Sequence, residues 1–119
     1  MCVAAAIYGK DGNCWAASKE FPELWTYDFV VEGMTAAENV TVHVDEVQVC
    51  LKAAEGERKP AGEAGIRIAN TKYMFVTYDD ITETTQCSRV GGGCAMANTQ
   101  KAVVIAFWDK MAVMGDGSP

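Results

Sequence analysis

Histidine and closely spaced cysteine pairs, the usual ligands of structural metal sites, are scarce in this sequence. His43 is the only histidine. The five cysteines stand far apart, at Cys2, Cys14, Cys50, Cys87 and Cys94. Because no CxxC pair is present, the spacing argues against a zinc site, and we predict no metal and no cofactor. The pattern indicates reduced thiols in a cytosolic protein, where they behave as small apolar side chains.

Basic residues are also scarce. Ten lysines and arginines stand against sixteen aspartates and glutamates, which gives a net charge of −6. Nucleic acid binding needs a basic stripe that releases counterions from phosphates, so we exclude nucleic acid as a partner. No apolar run is long enough for a transmembrane segment, and residues 1–7 lack the basic start of a secretion signal, so a cytoplasmic location is predicted.

Short β-type runs separated by turn residues make up most of the chain. Residues 2–8 and 14–17 flank an Asp-Gly turn and predict a hairpin, and residues 24–31 and 40–44 predict a second one, although residues 35–38 also suit a helical turn. Further strands are predicted within 66–78, 86–90, 94–97 and 102–108. The 119 residues therefore predict one α+β domain, 1–119, built on an antiparallel sheet.

One helix is predicted from its two ends. Asp45 is suited to the N-cap with Gln48 three residues later, and Gly56 is placed to end the helix. The predicted apolar stripe consists of Val47, Cys50, Leu51 and Ala54. A single helix covers one face of a sheet, yet the runs 3–8, 73–76 and 102–108 lack the alternation of strands that are wetted on one side. The sequence therefore predicts a sheet that lacks one covering layer.

Three segments resemble the profilins, the small actin-monomer-binding proteins. "AAAIYGKDGNCWAAS" (4–18) is similar to their first hairpin, "IRIANTKYMFV" (66–76) to their middle strand, and "RVGGGCAMANTQKAVVIAFWD" (89–109) to their later glycine turn and long apolar strand. The predicted helix matches their second helix in position. The resemblance implies a profilin-like central antiparallel sheet with helix cover, and a non-enzymatic protein.

Three departures accompany the resemblance. Profilins usually begin with an amphipathic helix and end with a long one, and this sequence shows neither pattern, so we expect both terminal helices to be missing. Their absence would leave one sheet face bare, which could disable the protein in part or favour self-association. Residues 24–42 resemble the extra arm of protozoan profilins and are predicted to be an insertion. Its aromatic residues would form a contact surface if the arm projects, or enlarge the core if it lies flat.

The resemblance also implies partners and site residues. A profilin-like protein binds monomeric actin, promotes its nucleotide exchange and delivers it to proline-rich partners at the cytoskeleton. The implied actin contacts are Lys72, Met74, Val76, Thr77, Arg89, Gly115 and Gly117. Actin is acidic, so Lys72 and Arg89 would guide its association, which requires that they face the same way. Otherwise they are ordinary solvated charges.

Two further partners follow from the resemblance. Trp15 matches the tryptophan that stacks on polyproline ligands in the family, although a core tryptophan under a helix is the alternative. A phosphoinositide is a further candidate partner, which would require Lys52, Arg58, Lys59 and Lys72 to converge.

The glycine cluster and Cys94 also suggest other chemistries. The glycines 91–93 lie between strand-like segments, which favours a turn over a phosphate cradle at a helix N-terminus. Cys94 as a nucleophile would need a base, and His43 is the only histidine that could serve. The alternative function is therefore a small ligand-binding or thiol-redox α+β domain that uses Cys94.

Overall fold

An antiparallel sheet of seven strands forms the centre of the fold. The computed structural model describes residues 2–109. The strands of this sheet are β1 (Cys2–Gly9), β2 (Cys14–Ala17), β5 (Ile66–Ile68), β6 (Thr71–Asp79), β7 (Thr84–Arg89), β8 (Gly92–Asn98) and β9 (Ala102–Asp109). Their order is β2-β1-β9-β8-β7-β6-β5, and every neighbouring pair is antiparallel. The predicted α+β class is confirmed.

The remaining two strands, β3 (Thr26–Val31) and β4 (Val40–Asp45), form a separate hairpin. A short 3-10 turn at Ala36–Glu38 lies in the connection between them, so the region contains both the predicted hairpin and the alternative helical turn. Tyr27, Phe29 and Val31 are half-buried and pack against the core. This hairpin therefore lies against the sheet domain, and Tyr27 and Phe29 enlarge the core, whereas Trp25, just before β3, is 57% exposed.

The helix α1 (Glu46–Ala54) begins and ends where its caps predict. The Asp45 carboxylate accepts a hydrogen bond from the Gln48 backbone N–H at 3.3 Å, and Gly56 follows the helix with φ of +91°. The predicted apolar stripe was only partly right. Val47 is only half-buried, whereas Val49, Ala53 and Glu46, which are outside the predicted stripe, are buried. The neighbouring elements therefore cover a wider part of the helix surface than the predicted stripe.

The core lies between α1 and one face of the sheet. Met96, Val103 and Ile105 are fully buried there, and the Thr85 hydroxyl donates a hydrogen bond to the Ala53 carbonyl at 2.7 Å, which joins β7 to the helix. The other face, here called the open face, carries exposed or half-buried apolar residues such as Val3, Ile7 and Val104. A cavity of about 330 Å³ on it is lined by Ala5, Ala6, Ile7, Ala16, Ala17, Ser18 and Val104. Within residues 2–109, the helix thus covers one face only, as the strand pattern predicted.

The glycine cluster begins in the turn between β7 and β8, where Gly91 lies, which confirms the turn interpretation over a phosphate cradle at a helix N-terminus. Gly91 has φ of +83°, a backbone conformation that favours glycine, while Gly92 and Gly93 already belong to β8. Gly93 pairs with Trp108, and a Cβ at Gly93 would lie 2.6 Å from the Trp108 ring and 2.7 Å from the Cys87 carbonyl oxygen. Glycine at this position thus allows the indole to lie flat against the sheet.

We expect Gly93→Ala to lower the free energy of unfolding by about 1–3 kcal/mol, because the added methyl group overlaps a backbone atom that cannot move freely. Urea unfolding followed by circular dichroism measures the change. Ser88→Ala, at the position paired with Gly93 on β7, is the matched control and should change stability by less than about 0.5 kcal/mol. Equal stability of the two variants would show that the close contact does not constrain the fold.

Candidate functional site

Four of the predicted site residues lie together on β6 and form what we call the β6 surface: Lys72, Met74, Val76 and Thr77. Met74 pairs with Ser88 and Thr77 pairs with Gln86, positions that face away from the helix because Cys87 between them is buried. A register shift between Phe75 and Thr77 makes Val76 an extra residue that is left unpaired. Met74 is 68% exposed and Val76 is 55% exposed. The β6 surface therefore combines an exposed apolar pair with one cation and one hydroxyl.

Arg89 lies on the other side of the sheet. It follows Ser88, the partner of Met74, and consecutive strand residues point to opposite faces. Its side chain contacts the hydroxyl of Tyr73, a residue of the helix-covered face, and burial raises the pKa of Tyr73 although this hydrogen bond opposes the shift. The expectation that Lys72 and Arg89 face the same way is therefore not met. Alternation along β7 separates Arg89 from the β6 surface.

Two predicted site residues, Gly115 and Gly117, lie outside the described residues. The β6 surface is consequently defined by residues 72–77 alone.

Trp15 is 56% exposed on β2. Its indole nitrogen lies 2.5 Å from the position of a Cβ at Gly9, so the ring lies flat against the backbone of that glycine. Gly9 follows Ile7 by two residues on β1, which places the ring on the open face. The structure thus excludes a tryptophan buried under α1 and leaves its ring available at the edge of the open face.

The predicted phosphoinositide cluster does not converge. The Arg58 guanidinium stacks over the Phe75 ring at 4.4 Å from its centroid, and Phe75 pairs with the buried Cys87 on the helix-covered side. Lys72 faces the opposite way from Phe75, and Lys52 lies on α1. Arg58 and Lys72 therefore cannot form one cationic surface.

Cys94 and His43 have different environments, one buried and the other exposed. Cys94 is fully buried, and a hydrogen bond to Cys87 together with burial raises the pKa of its thiol far above its usual range. His43 is exposed on β4, where its Nδ1 lies 3.0 Å from an Asp28 carboxylate oxygen. Among residues 2–109, no three His, Cys, Asp or Glu side chains are arranged to hold a metal ion. These environments do not favour the nucleophilic cysteine.

We expect a thiol titration of the native protein to divide the cysteines into two classes. Cys2 and Cys14 are exposed and should react within minutes, whereas Cys50, Cys87 and Cys94 are buried and should react only after a denaturant is added. Absorbance with a chromogenic disulfide reagent measures both classes. A fast native reaction at Cys94 would instead support the thiol-based alternative.

The buried carboxylate of Glu46 was not predicted from the sequence. This carboxylate attaches the β3–β4 hairpin to the rest of the domain. Its two oxygens accept hydrogen bonds from the Trp25 N–H at 2.9 Å, the Tyr27 hydroxyl at 2.8 Å and the Asn70 N–H at 2.7 Å. The Asn70 N–H is available because Ala69 and Asn70 form a tight turn with φ of +53° and +56°. An acidic residue in the first helical turn is ordinarily solvated and complements the helix dipole, so Glu46 resembled a surface residue.

The Arg67 side chain extends this attachment. Its Nε donates to the Tyr27 hydroxyl at 3.2 Å, and its guanidinium stacks 4.1 Å from the centroid of the Phe29 ring. Beside it, a cavity of about 420 Å³ separates the hairpin from the sheet edge and is lined by Phe29, Val30, Val31, Glu32, Glu63, Ala64, Arg67 and Lys72. Lys72 thus lies where the β6 surface meets the hairpin.

Comparison with known proteins gives one consistent result. The family model described as profilin matches residues 1–117. A profilin of Tetrahymena pyriformis is 34% identical over 106 residues, which are 87% of this chain and 65% of that protein. A profilin of Bombyx mori is 30% identical over 110 residues, which are 92% of this chain and 70% of that protein. The chain therefore spans about two thirds of the length of these relatives.

Solved structures agree on the fold. Acanthamoeba castellanii profilin IA superposes with a TM-score of 0.58 at 21% identity, covering 92% of this chain and 70% of that one. Acanthamoeba castellanii profilin II gives a TM-score of 0.53 at 26% identity with the same coverage. In the part of this chain that is described, the structure has no helix long and apolar enough to cross a membrane.

Proposed function

Because the chain belongs to the profilin family, we propose that it binds monomeric actin through the β6 surface and acts as a regulator of actin polymerisation. In this role it would hold the monomer, promote exchange of its nucleotide and deliver it to proline-rich partners in the cytoplasm. Such a role needs a complementary surface and no catalytic group.

The observation that carries this proposal is the exposure of Met74 and of the unpaired Val76 on β6, a strand that is held within the sheet. Apolar side chains that are more than half exposed on a rigid element suit the desolvated centre of a protein interface. Lys72 lies two residues before Met74 and faces the same way, so its charge is placed to guide an acidic partner at the rim. Thr77 adds a hydroxyl at the other end. Arg89 belongs to the opposite face and is left out of the proposed interface.

A second element of the proposal concerns proline-rich segments. The ring of Trp15 is exposed on the open face, and the apolar cavity of about 330 Å³ lies between β1, β2 and β9 on the same side. A polyproline II helix is stiff and loses little entropy when its rings stack on an aromatic side chain. We assign Trp15 as the contact for such a segment.

The proposal is tested by titrating fluorescently labelled monomeric actin with the protein. We expect a saturable change in fluorescence and a slower rise of polymerisation when the protein is in excess, because monomers bound by it are withheld from spontaneous nucleation. A protein with the circular dichroism spectrum of a folded β domain but without saturable binding would exclude actin as the partner.

A further inference from the structure

Two of the buried cysteines face each other across neighbouring strands. Cys87 on β7 and Cys94 on β8 are directly paired in the antiparallel register. Both are free thiols, and they are 1% and 0% exposed, respectively. Their side chains are hydrogen-bonded to one another. The two sulfur atoms are thus neighbours in the core, although 6 residues separate the cysteines along the chain.

We propose that Cys87 and Cys94 form a covalent modification site, at which a small-molecule disulfide such as oxidised glutathione converts the pair into an internal cross-strand disulfide. Directly opposed residues of antiparallel strands have Cα atoms about 4.5–5.5 Å apart. The Cα atoms of bridged cysteines are usually about 4.4–6.8 Å apart, so the backbone spacing of a directly paired position lies within the range of a disulfide. The proposal does not rest on the proposed function, although Cys87 pairs with Phe75 on β6.

The two thiols have different roles in the reaction. The hydrogen bond from Cys94 lowers the pKa of Cys87, whereas the same bond and burial raise the pKa of Cys94. The Cys87 thiolate attacks the small disulfide, forms a mixed disulfide and releases one small thiolate, which takes up the proton that Cys87 lost. The Cys94 thiol then attacks the Cys87 sulfur, loses its own proton and releases the second small thiol. In total, two protein thiols are oxidised and one small disulfide is reduced to two thiols.

The third buried thiol, Cys50, is the competitor that the structure disfavours. It is on α1, in the layer that packs over the sheet, and it has no strand partner that fixes its distance to Cys87 or Cys94. The cross-link should therefore be specific to the strand pair.

The burial of Cys87 also determines the rate at which the small disulfide reacts with it. A reagent reaches Cys87 only when the core opens transiently, so the reaction should be slow in buffer and faster in urea below the unfolding transition. Cys2 and Cys14 are exposed and would be modified first. They are removed from the experiment by Cys2→Ser and Cys14→Ser, or are blocked by brief alkylation of the native protein if that double variant does not fold.

The test is incubation of this protein with oxidised glutathione, quenching in acid and tryptic mapping without reduction. Trypsin cuts after Lys72, Arg89 and Lys101, so Cys87 and Cys94 fall on the separate peptides 73–89 and 90–101. We expect these two peptides to be joined, with the mass lowered by two hydrogen atoms, and to separate after reduction. The same product should form in the control variant Cys50→Ala.

Three results would overturn the proposal. One is a stable glutathione adduct on Cys87 without the internal bond. Another is a cross-link from Cys50, which trypsin places on peptide 20–52. The third is persistence of free Cys87 and Cys94 in urea that has made Cys50 reactive.

Discussion

Replacement of Glu46 by alanine is expected to lower the free energy of unfolding by about 3–5 kcal/mol, because three donors that now bond to one buried carboxylate would lose their acceptor. The Trp25 and Asn70 N–H groups belong to the backbone and the Tyr27 hydroxyl is held by packing, so they cannot readily find new partners. A donor left unsatisfied away from water costs about 1–3 kcal/mol, and the three bonds here are partly buried, which gives the lower part of the summed range. Urea unfolding at constant pH measures the change in the free energy of unfolding.

The control for this substitution is Glu57→Ala, which removes an exposed carboxylate just after the same helix. It should change stability by less than about 0.5 kcal/mol. We also expect the fluorescence of Trp25 to shift in Glu46→Ala, since its backbone is attached through this carboxylate. A loss below about 1 kcal/mol would mean that water replaces the carboxylate and that the β3–β4 hairpin is held by packing alone.

Met74→Asp is expected to weaken the binding of monomeric actin about 100-fold, which corresponds to about 2.7 kcal/mol. The substitution places a charge at the centre of the proposed interface, where it would be desolvated without a partner and would also repel an acidic surface. The side chain is 68% exposed in the free protein, so folding should be nearly unaffected. Fluorescence titration of labelled actin measures the affinity, and thermal unfolding checks the fold.

Ile81→Asp provides the matched control. Ile81 is 90% exposed in the turn between β6 and β7, so the change is the same in kind but lies outside the β6 surface. It should leave the affinity within about threefold, which is the scatter expected for surface substitutions. If both variants bind actin equally well, the interface is elsewhere on the molecule, even if the native chain binds.

The sequence predicted the elements of this fold better than the directions of its side chains. Turn and cap residues such as Asp45 and Gly56 act locally, so the strands, the hairpins and the single helix followed from short patterns. The buried role of Glu46 depends on donors 21 and 24 residues away and cannot be read from its own neighbourhood. Likewise, the side on which Arg89 lies is fixed by the register of β7 against β6, which no local pattern contains.

The directions of the side chains on the β6 surface could not be predicted from the local sequence either. Its four residues were assigned through a resemblance, and simple alternation would have placed Val76 on the same side as Lys72 and Met74, with Thr77 opposite. The register shift before Thr77 keeps Thr77 outward as well, because it inserts one unpaired residue. A bulge of this kind depends on the partner strand and is not visible in the sequence of β6 alone.

The carboxylate of Glu46 also has a consequence for the order of folding. Its three donors come from two chain segments, one before the helix and one in the β5–β6 turn, so neither segment can complete the attachment by itself. Long-range contacts of this kind form after local hairpins, because the entropy of closing the intervening loops must first be overcome. We therefore expect residues 26–45 to gain protection from amide hydrogen exchange later than β8 and β9 when the unfolded chain is returned to native buffer.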